Sequence, residues 1–107
     1  MSRESLTKMT KIEVVARTAD ADTVRRQIVA AGATGYTSLP SVTGLGHHGA
    51  HEGRQLFNDL DALTLIITVV PDDHADELID GLRTLLELTA GVMFVSETYV
   101  SRPSYFR

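Results

Sequence analysis

The spacing of apolar residues divides the first third of the chain into a strand and a helix. Ile12, Val14 and Ala16 alternate with Glu13, Val15 and Arg17, a period of two that predicts a strand starting near Lys8. Apolar residues then recur at intervals of three and four between residues 24 and 31. This spacing predicts a helix with Asp20 as its N-cap and Gly32 as its end.

Two further strands are predicted on either side of a long connection. Residues 35–42 form the first of them, and Pro40 marks it as an edge strand or the position of a bulge, because proline cannot donate to a central ladder. Residues 63–70 are apolar on both faces and are closed by Pro71, which predicts a buried strand.

The last part of the chain predicts a second helix and a fourth strand. Asp72 or Asp73 is the expected helix cap, and leucines follow the helical period as far as residue 86. Gly91 ends the turn, and residues 92–100 read as a strand. The order is therefore βαββαβ, an α+β ferredoxin-like fold with a four-stranded antiparallel sheet and two helices on one face.

The sheet face without helices is predicted to be apolar. The side chains expected on that face are Val15, Ile66 and Val70, if Val14, Leu65, Ile67 and Val69 pack beneath the helices. Because strand 63–70 carries apolar residues on both faces, the opposite orientation of its side chains stays open. An apolar sheet face in water favours aggregation unless other subunits cover it. We therefore expect a homo-oligomer.

Composition places the chain among single globular domains. Its 107 residues suffice for one domain, 1–107, in which 1–7 are predicted to be disordered and 101–107 to form a C-terminal tail. The net charge of −4 argues against sequence-independent nucleic-acid binding, which depends on phosphate neutralisation. No secretory signal is recognisable, and the absence of cysteine suits a cytoplasmic location.

The loop between the second and third strands carries the candidate chemistry. Gly44, Leu45 and Gly46 open it, and the glycines allow backbone N–H groups to approach an anion closely. The longer match to G-x-G-x-x-G is not a dinucleotide fingerprint, since no helix follows it. His47, His48 and His51 have the residue types of a transition-metal site, so metal binding by this loop is an alternative.

Catalysis has little support in the sequence, and no enzyme is predicted. The chain has no cysteine nucleophile, no recognisable serine motif and no carboxylate pair that spacing forces together. Arg102 and Arg107 follow the last strand and suit bidentate binding of a phosphate or another small anion. Tyr105 and Phe106 are costly to leave in water, so the tail is expected to pack on the domain.

Taken in order, these features resemble the PII signalling proteins. The resemblance extends over about residues 8–103 and is most specific in the Thr34-Gly35-Tyr36-Thr37 and Gly44-Leu45-Gly46 pair around the second strand. Within that superfamily the chain resembles the divergent PII-like group, and in particular its carboxysome-associated members. The resemblance implies a homotrimer with nucleotide sites between subunits, and it identifies residues 47–60 as the T-loop.

The resemblance also implies which residues bind the nucleotide. The expected nucleotide-binding set is Gly35, Tyr36, Thr37, Ser38, Gly44, Leu45, Gly46, Thr89, Gly91 and Arg102. Thr37 and Ser38 are alternative matches to one position of the family motif, because this chain has one extra residue between Thr37 and Gly44. Bicarbonate is the expected second ligand in the carboxysome-associated group, with Gly46, Arg102 and Arg107 as candidate contacts.

Departures from the family pattern refine this expectation. His48 stands where members that sense 2-oxoglutarate carry a glutamine that helps to chelate magnesium, and the B-loop around Thr89 and Gly91 is short and lacks the usual lysine. With less positive charge for a triphosphate, ADP or AMP is favoured over Mg-ATP. Residues 47–60 contain no tyrosine, so the family's uridylylation switch has no acceptor.

The expected function is therefore that of a regulatory protein of inorganic-carbon uptake. Adenine nucleotide and bicarbonate are expected to raise each other's affinity by favouring one T-loop conformation. A membrane transporter or another carbon-uptake protein is then expected to recognise that loop conformation. Two alternatives remain: a metal-binding trimer that uses the histidine loop, and a structural trimer whose loop only docks a partner.

Overall fold

The structure, a computed structural model, describes residues 2–44 and 62–107. The described elements follow the predicted βαββαβ order. They are strand β1 (Thr7–Arg17), helix α1 (Thr18–Ala30), strand β2 (Thr37–Val42), strand β3 (Leu63–Val70), helix α2 (Asp72–Leu86) and strand β4 (Val92–Val100). Short 3₁₀ turns lie at Arg3–Ser5 and Pro103–Phe106. The sequence predicts disorder over 1–7, whereas β1 already includes Thr7 and a turn precedes it.

The four strands form an antiparallel sheet in the order β2-β3-β1-β4. β1 and β3 are central, the order that right-handed crossover connections favour. β2 is an edge strand whose register shifts between Pro40 and Val42, and Ser41 has a positive φ of 61° at the shift. Pro40 therefore marks both an edge and a bulge, which confirms the expectation from the missing N–H.

The core lies between the sheet and the two helices. Its sheet side includes Ile12 and Val14 of β1 and Ile66 and Val70 of β3, which are at most 2% exposed. The buried side chains of the helices are Ala21, Val24 and Ile28 of α1 and Ala75, Leu78 and Leu82 of α2. Apolar residues at helical spacing thus cover one face of the sheet, as amphipathic helices do.

The prediction of which β3 side chains face the helices is wrong. Ile66 and Val70 belong to the core beneath the helices, and Leu65, Ile67 and Val69 alternate with them on the open face. The reason lies in two threonines: Thr64 and Thr68 face the core and are 2% exposed, although polar residues usually mark the solvent side. Their hydroxyls are satisfied there, by the side chain of Thr18 and by the carbonyl of Gly35 respectively.

The open face of the sheet carries apolar side chains around one ion pair of β1, in which Nζ of Lys11 lies 4.0 Å from Oε1 of Glu13. Val15, Ile67 and Val69 on this face are half-buried, and Phe94 and Leu39 are 57% and 41% exposed. Within residues 2–44 and 62–107, neither helix is long and apolar enough to cross a membrane.

Both predicted helix caps need correction. α1 begins at Thr18, two residues before Asp20, and Arg17 occupies the N-cap without a side-chain hydrogen bond. Asp20 lies in the first turn, where its Oδ2 is 3.6 Å from Nε of Arg17. α2 begins at Asp72 itself, whose carboxylate bonds to β1 and does not cap the helix.

Candidate functional site

One group of candidate residues lies where β1 ends. Val42 pairs with Leu63 of β3, which pairs in turn with Arg17, the last residue of β1. Gly44 follows Val42 at this end of the sheet. Thr89 and Gly91 arrive at the same end, because Val92, the first residue of β4, pairs with Val15. The sheet topology thus places the start of the long loop and the α2–β4 turn at one end of the molecule.

The α2–β4 turn is fixed by close packing at Gly91. The backbone N–H of Gly91 donates to Oγ1 of Thr89 at 3.3 Å, so the two candidate residues contact each other directly. A Cβ on Gly91 would lie 2.7 Å from Cδ2 of Leu86 and 3.2 Å from the carbonyl oxygen of Val15. A glycine at this position therefore lets the turn lie against β1.

A second group lies at the opposite end of the sheet, where β1 begins. Thr7 pairs with Val100, and Arg102 follows Val100 by two residues. Gly35 reaches the neighbouring region from the α1–β2 loop, and its carbonyl accepts a 2.7 Å hydrogen bond from Oγ1 of Thr68. The structure therefore divides the candidate residues of one subunit between the two ends of its sheet, with β2 running from one end to the other.

Thr37 and Ser38 differ in the face of the sheet that they occupy. Ser38 lies toward the helices, is half-buried, and accepts a 3.3 Å hydrogen bond from Nη1 of Arg25. Thr37 is exposed and pairs with Ile67 of the open face. Arg25 was not identified from the sequence, because a single arginine on the polar face of a helix carries no signal of its contact.

Tyr36 presents an exposed ring between α1 and β2. It is 44% exposed and lines an open cleft of about 310 Å³ together with Asp22, Arg25, Arg26, Val29 and Ala30 of α1. Asp22 lies 3.9 Å from Arg25 and 3.3 Å from Arg26, so one carboxylate is shared by two guanidinium groups. The cleft beside Tyr36 therefore combines the apolar Val29 and Ala30 with one carboxylate and two guanidinium groups.

The C-terminal tail contacts the domain, as expected from its aromatic residues. Oγ1 of Thr34 donates to the carbonyl oxygen of Tyr105 at 2.9 Å. Arg102 contacts Tyr105 through a hydrogen bond from Nη1 to the phenol oxygen at 3.2 Å. Tyr105 is nevertheless 64% exposed and Arg107 is exposed, whereas Phe106 is half-buried, so the expected packing of the tail is found for Phe106 and not for Tyr105. The sequence did not identify Thr34 as a residue that contacts the tail.

Some candidate residues lie outside the described part of the chain. They are Leu45, Gly46, His47, His48 and His51, together with the T-loop assigned to residues 47–60. Within residues 2–44 and 62–107, no three His, Cys, Asp or Glu side chains are grouped to hold a metal ion.

The comparisons with known proteins agree with this fold. The family model of the nitrogen regulatory protein P-II matches residues 9–105. The chain therefore belongs to the P-II family, a family of regulatory proteins. No curated protein sequence matches the chain.

Solved structures place the chain near the PII-like proteins. CPII of Thiomonas intermedia K12 bound to ADP and bicarbonate is 32% identical, with a TM-score of 0.81 over 95% of this chain and 97% of that one. The same protein bound to ADP, AMP and acetate gives 32% identity and a TM-score of 0.80 over the same shares. GlnK of B. subtilis with ATP is 23% identical, with a TM-score of 0.61 over 85% of this chain and 83% of that one; this likeness concerns the fold alone.

Proposed function

We propose that the chain is a non-enzymatic, cytoplasmic PII-like regulator that binds an adenine nucleotide between the subunits of a homotrimer. The observation that carries the proposal is the division of the candidate residues between the two ends of one sheet. A single subunit offers Gly44, Thr89 and Gly91 at one end and Gly35 with Arg102 at the other. In a trimer, one end of each subunit lies beside the other end of its neighbour, so three complete clefts arise.

The open sheet face supports the trimer. Phe94 and Leu39 are about half exposed in the single subunit, and Val15, Leu65, Ile67 and Val69 on the same face are half-buried. Covering this face in an oligomer removes apolar area from water, which stabilises by about 25 cal/mol per Å². A further carboxylate without a cationic partner at this face opposes assembly; Phe94→Glu should yield monomers in light scattering after size exclusion, whereas Val29→Glu on exposed α1 should remain trimeric.

ADP or AMP is the proposed nucleotide, and bicarbonate the proposed effector. The PII-like relative at 32% identity was solved with ADP, AMP and bicarbonate. On this chain the adenine and ribose are assigned to Gly35, Tyr36, Thr37 and Ser38, and the phosphates to Gly44, Leu45, Gly46, Thr89, Gly91 and Arg102. Thr37 suits the ligand better than Ser38, since Ser38 is turned toward the helices and bonded to Arg25.

Bicarbonate is a small planar anion that suits a guanidinium fork. Arg102 and Arg107 in the tail, and the backbone N–H of Gly46, are the proposed contacts. In this proposal nucleotide and bicarbonate favour the same T-loop conformation, so that each raises the affinity of the other. That conformation is recognised by a membrane transporter or another carbon-uptake protein. The setting of this interaction is carboxysome-dependent carbon concentration.

The test is calorimetric titration and thermal unfolding with ADP, AMP, cyclic AMP and Mg-ATP, each with and without bicarbonate. A ligand at 100 times its Kd stabilises by about 2.7 kcal/mol, which shifts the midpoint by several degrees in a domain of this size. Arg102→Ala should weaken ADP, and Arg83→Ala, an exposed arginine of α2, serves as the matched control. Absence of any nucleotide effect on the wild-type protein would refute the proposal and leave a structural or metal-binding trimer.

A further inference from the structure

Tyr105 is fixed in the C-terminal tail by backbone contacts on both sides. Pro103 opens the 3₁₀ turn Pro103–Phe106, and the N–H of Tyr105 donates to the carbonyl of Arg102 at 3.0 Å. The carbonyl of Tyr105 accepts the 2.9 Å bond from Thr34, which lies 71 positions earlier in the chain. The backbone of Tyr105 is therefore held in place even though the residue is 64% exposed.

From this fixed backbone position the Tyr105 ring restricts the guanidinium of Arg102. Nη1 of Arg102 lies 3.2 Å from the phenol oxygen, and Cζ lies 5.5 Å from the ring centroid. A long arginine side chain on a surface otherwise samples many rotamers, which costs binding energy when a ligand immobilises it. Two contacts to one ring limit that freedom before any ligand binds.

The contacts to Tyr105 leave the arginine able to bind an anion. The phenol is a neutral acceptor, so the guanidinium keeps its full positive charge. Among the described residues, no contact occupies the edge formed by Nε and Nη2. That edge is the one that pairs two parallel N–H groups with two oxygens of a phosphate.

We infer that Tyr105 is a positioning residue that presents the Nε–Nη2 edge of Arg102 to the phosphate of a nucleoside diphosphate, and that Thr34 holds Tyr105 in place. This inference rests on the proposed function and deepens it. Thr34 immediately precedes Gly35, the first residue assigned to the base and ribose. The Thr34–Tyr105 hydrogen bond therefore connects the segment assigned to the base with the arginine assigned to the phosphate.

The test compares phosphate-bearing and phosphate-free ligands by calorimetric titration with ADP and adenosine. Tyr105→Phe removes only the hydroxyl, and we expect it to weaken ADP about three- to tenfold, because Arg102 regains side-chain freedom that ligand binding must then remove. Adenosine affinity and the unfolding midpoint without ligand should not change. Thr34→Val should weaken ADP in the same direction. Tyr99→Phe is the matched control, since the Tyr99 phenol bonds to Glu97, away from the tail.

The outcomes separate this inference from the function on which it rests. If wild type binds ADP and Tyr105→Phe binds it equally well, the positioning role is overturned and the nucleotide site stands. If Tyr105→Phe weakens ADP and adenosine by the same factor, the hydroxyl supports the domain in general and the positioning role is again overturned. If wild type binds no nucleotide, the proposed function fails and this inference fails with it.

Discussion

Nζ of Lys8 lies 2.6 Å from Oδ2 of Asp72, which joins the second residue of β1 to the first residue of α2 across 64 positions of sequence. Oγ1 of Thr10 donates to the other carboxylate oxygen at 2.7 Å. Asp72 thereby accepts two hydrogen bonds from β1 and determines where α2 starts relative to the sheet.

The pH dependence of stability follows from this contact. The hydrogen bond from Lys8, and next that from Thr10, hold the pKa of Asp72 below its ordinary value. Because the folded-state pKa is the lower one, the carboxylate stabilises the fold above an unfolded-state pKa of about 4, and this contribution is lost as the pH falls through the folded value. The hydrogen bond to Asp72 likewise raises the pKa of Lys8, whose contribution is lost in strongly alkaline solution.

We expect Asp72→Asn to lower the thermal midpoint near pH 7 and to match the wild type in strong acid. Thermal unfolding monitored by circular dichroism from pH 2 to 8 measures the difference. Asp76→Asn, an exposed carboxylate of the same helix, is the control and should give a curve parallel to the wild type. A wild-type advantage over Asp72→Asn that persists unchanged at pH 2 would contradict the role of the charge.

Burial of Leu82 in the core predicts a large cost of truncation. Leu82 is 0% exposed, so Leu82→Ala should lose transfer energy and leave a cavity, a cost of about 2–5 kcal/mol. Urea unfolding gives the free energy directly. Leu88→Ala is the matched control, because Leu88 is 82% exposed and its truncation should barely change the midpoint. Equal effects of the two variants would mean that α2 does not pack as described.

Thr68 links the core to the segment assigned to the nucleotide. Thr68→Val keeps the shape but removes the hydrogen bond to the carbonyl of Gly35, which should cost about 0.5–1.5 kcal/mol in urea unfolding, because Gly35 is exposed and its carbonyl can bond to water. Thr84→Val is the comparison, since Thr84 is exposed and its hydroxyl bonds within α2, to the carbonyl of Asp80, so the cost should be smaller. If Thr84→Val proved the more costly of the two, the Gly35 hydrogen bond would not carry the stability assigned to it.

Gly91 and Gly35 make a matched pair of glycines. Gly91→Ala forces Leu86 and the Val15 carbonyl to move, and we expect a loss of about 1–3 kcal/mol. Gly35→Ala meets no atom within 4 Å, so its stability should be unchanged or slightly higher. Differential scanning calorimetry of the ligand-free variants distinguishes them. A stable Gly91→Ala protein would show that the α2–β4 turn can move away from β1.

The sequence predicts the type and the bounds of an element well where a turn residue marks its end. Pro71 and Gly91 allowed the bounds of β3 and β4 to be predicted as they are found, and Pro40 indicated the bulged edge. The sequence does not show which face of β3 packs beneath the helices, because apolar residues occupy both faces and the polar Thr64 and Thr68 are buried. Their partners lie on other elements, and a local pattern does not show them.

The candidate site shows the same limit. Family resemblance supplied Gly35, Gly91 and Arg102 from short motifs, and the sheet topology then determined which of them share an end of the molecule. The contact of Thr34 with Tyr105 spans 71 residues, and no local sequence pattern indicates it. The side chains of Thr37 and Ser38 were separated only when the register of β2 against β3 assigned them to opposite faces.

The position of β1 in the sheet has a consequence for synthesis of the chain on the ribosome. β1 is the first of the four strands to be made, yet its two neighbours are β3 and β4, which begin at Leu63 and Val92. One edge of β1 stays unpaired until β3 has been translated and the other until β4 follows, and long-range pairing of this kind is slow. A nascent chain released before Val100 would leave β1 with one bare edge, so early termination should yield a species for chaperones or proteases and not a smaller folded domain.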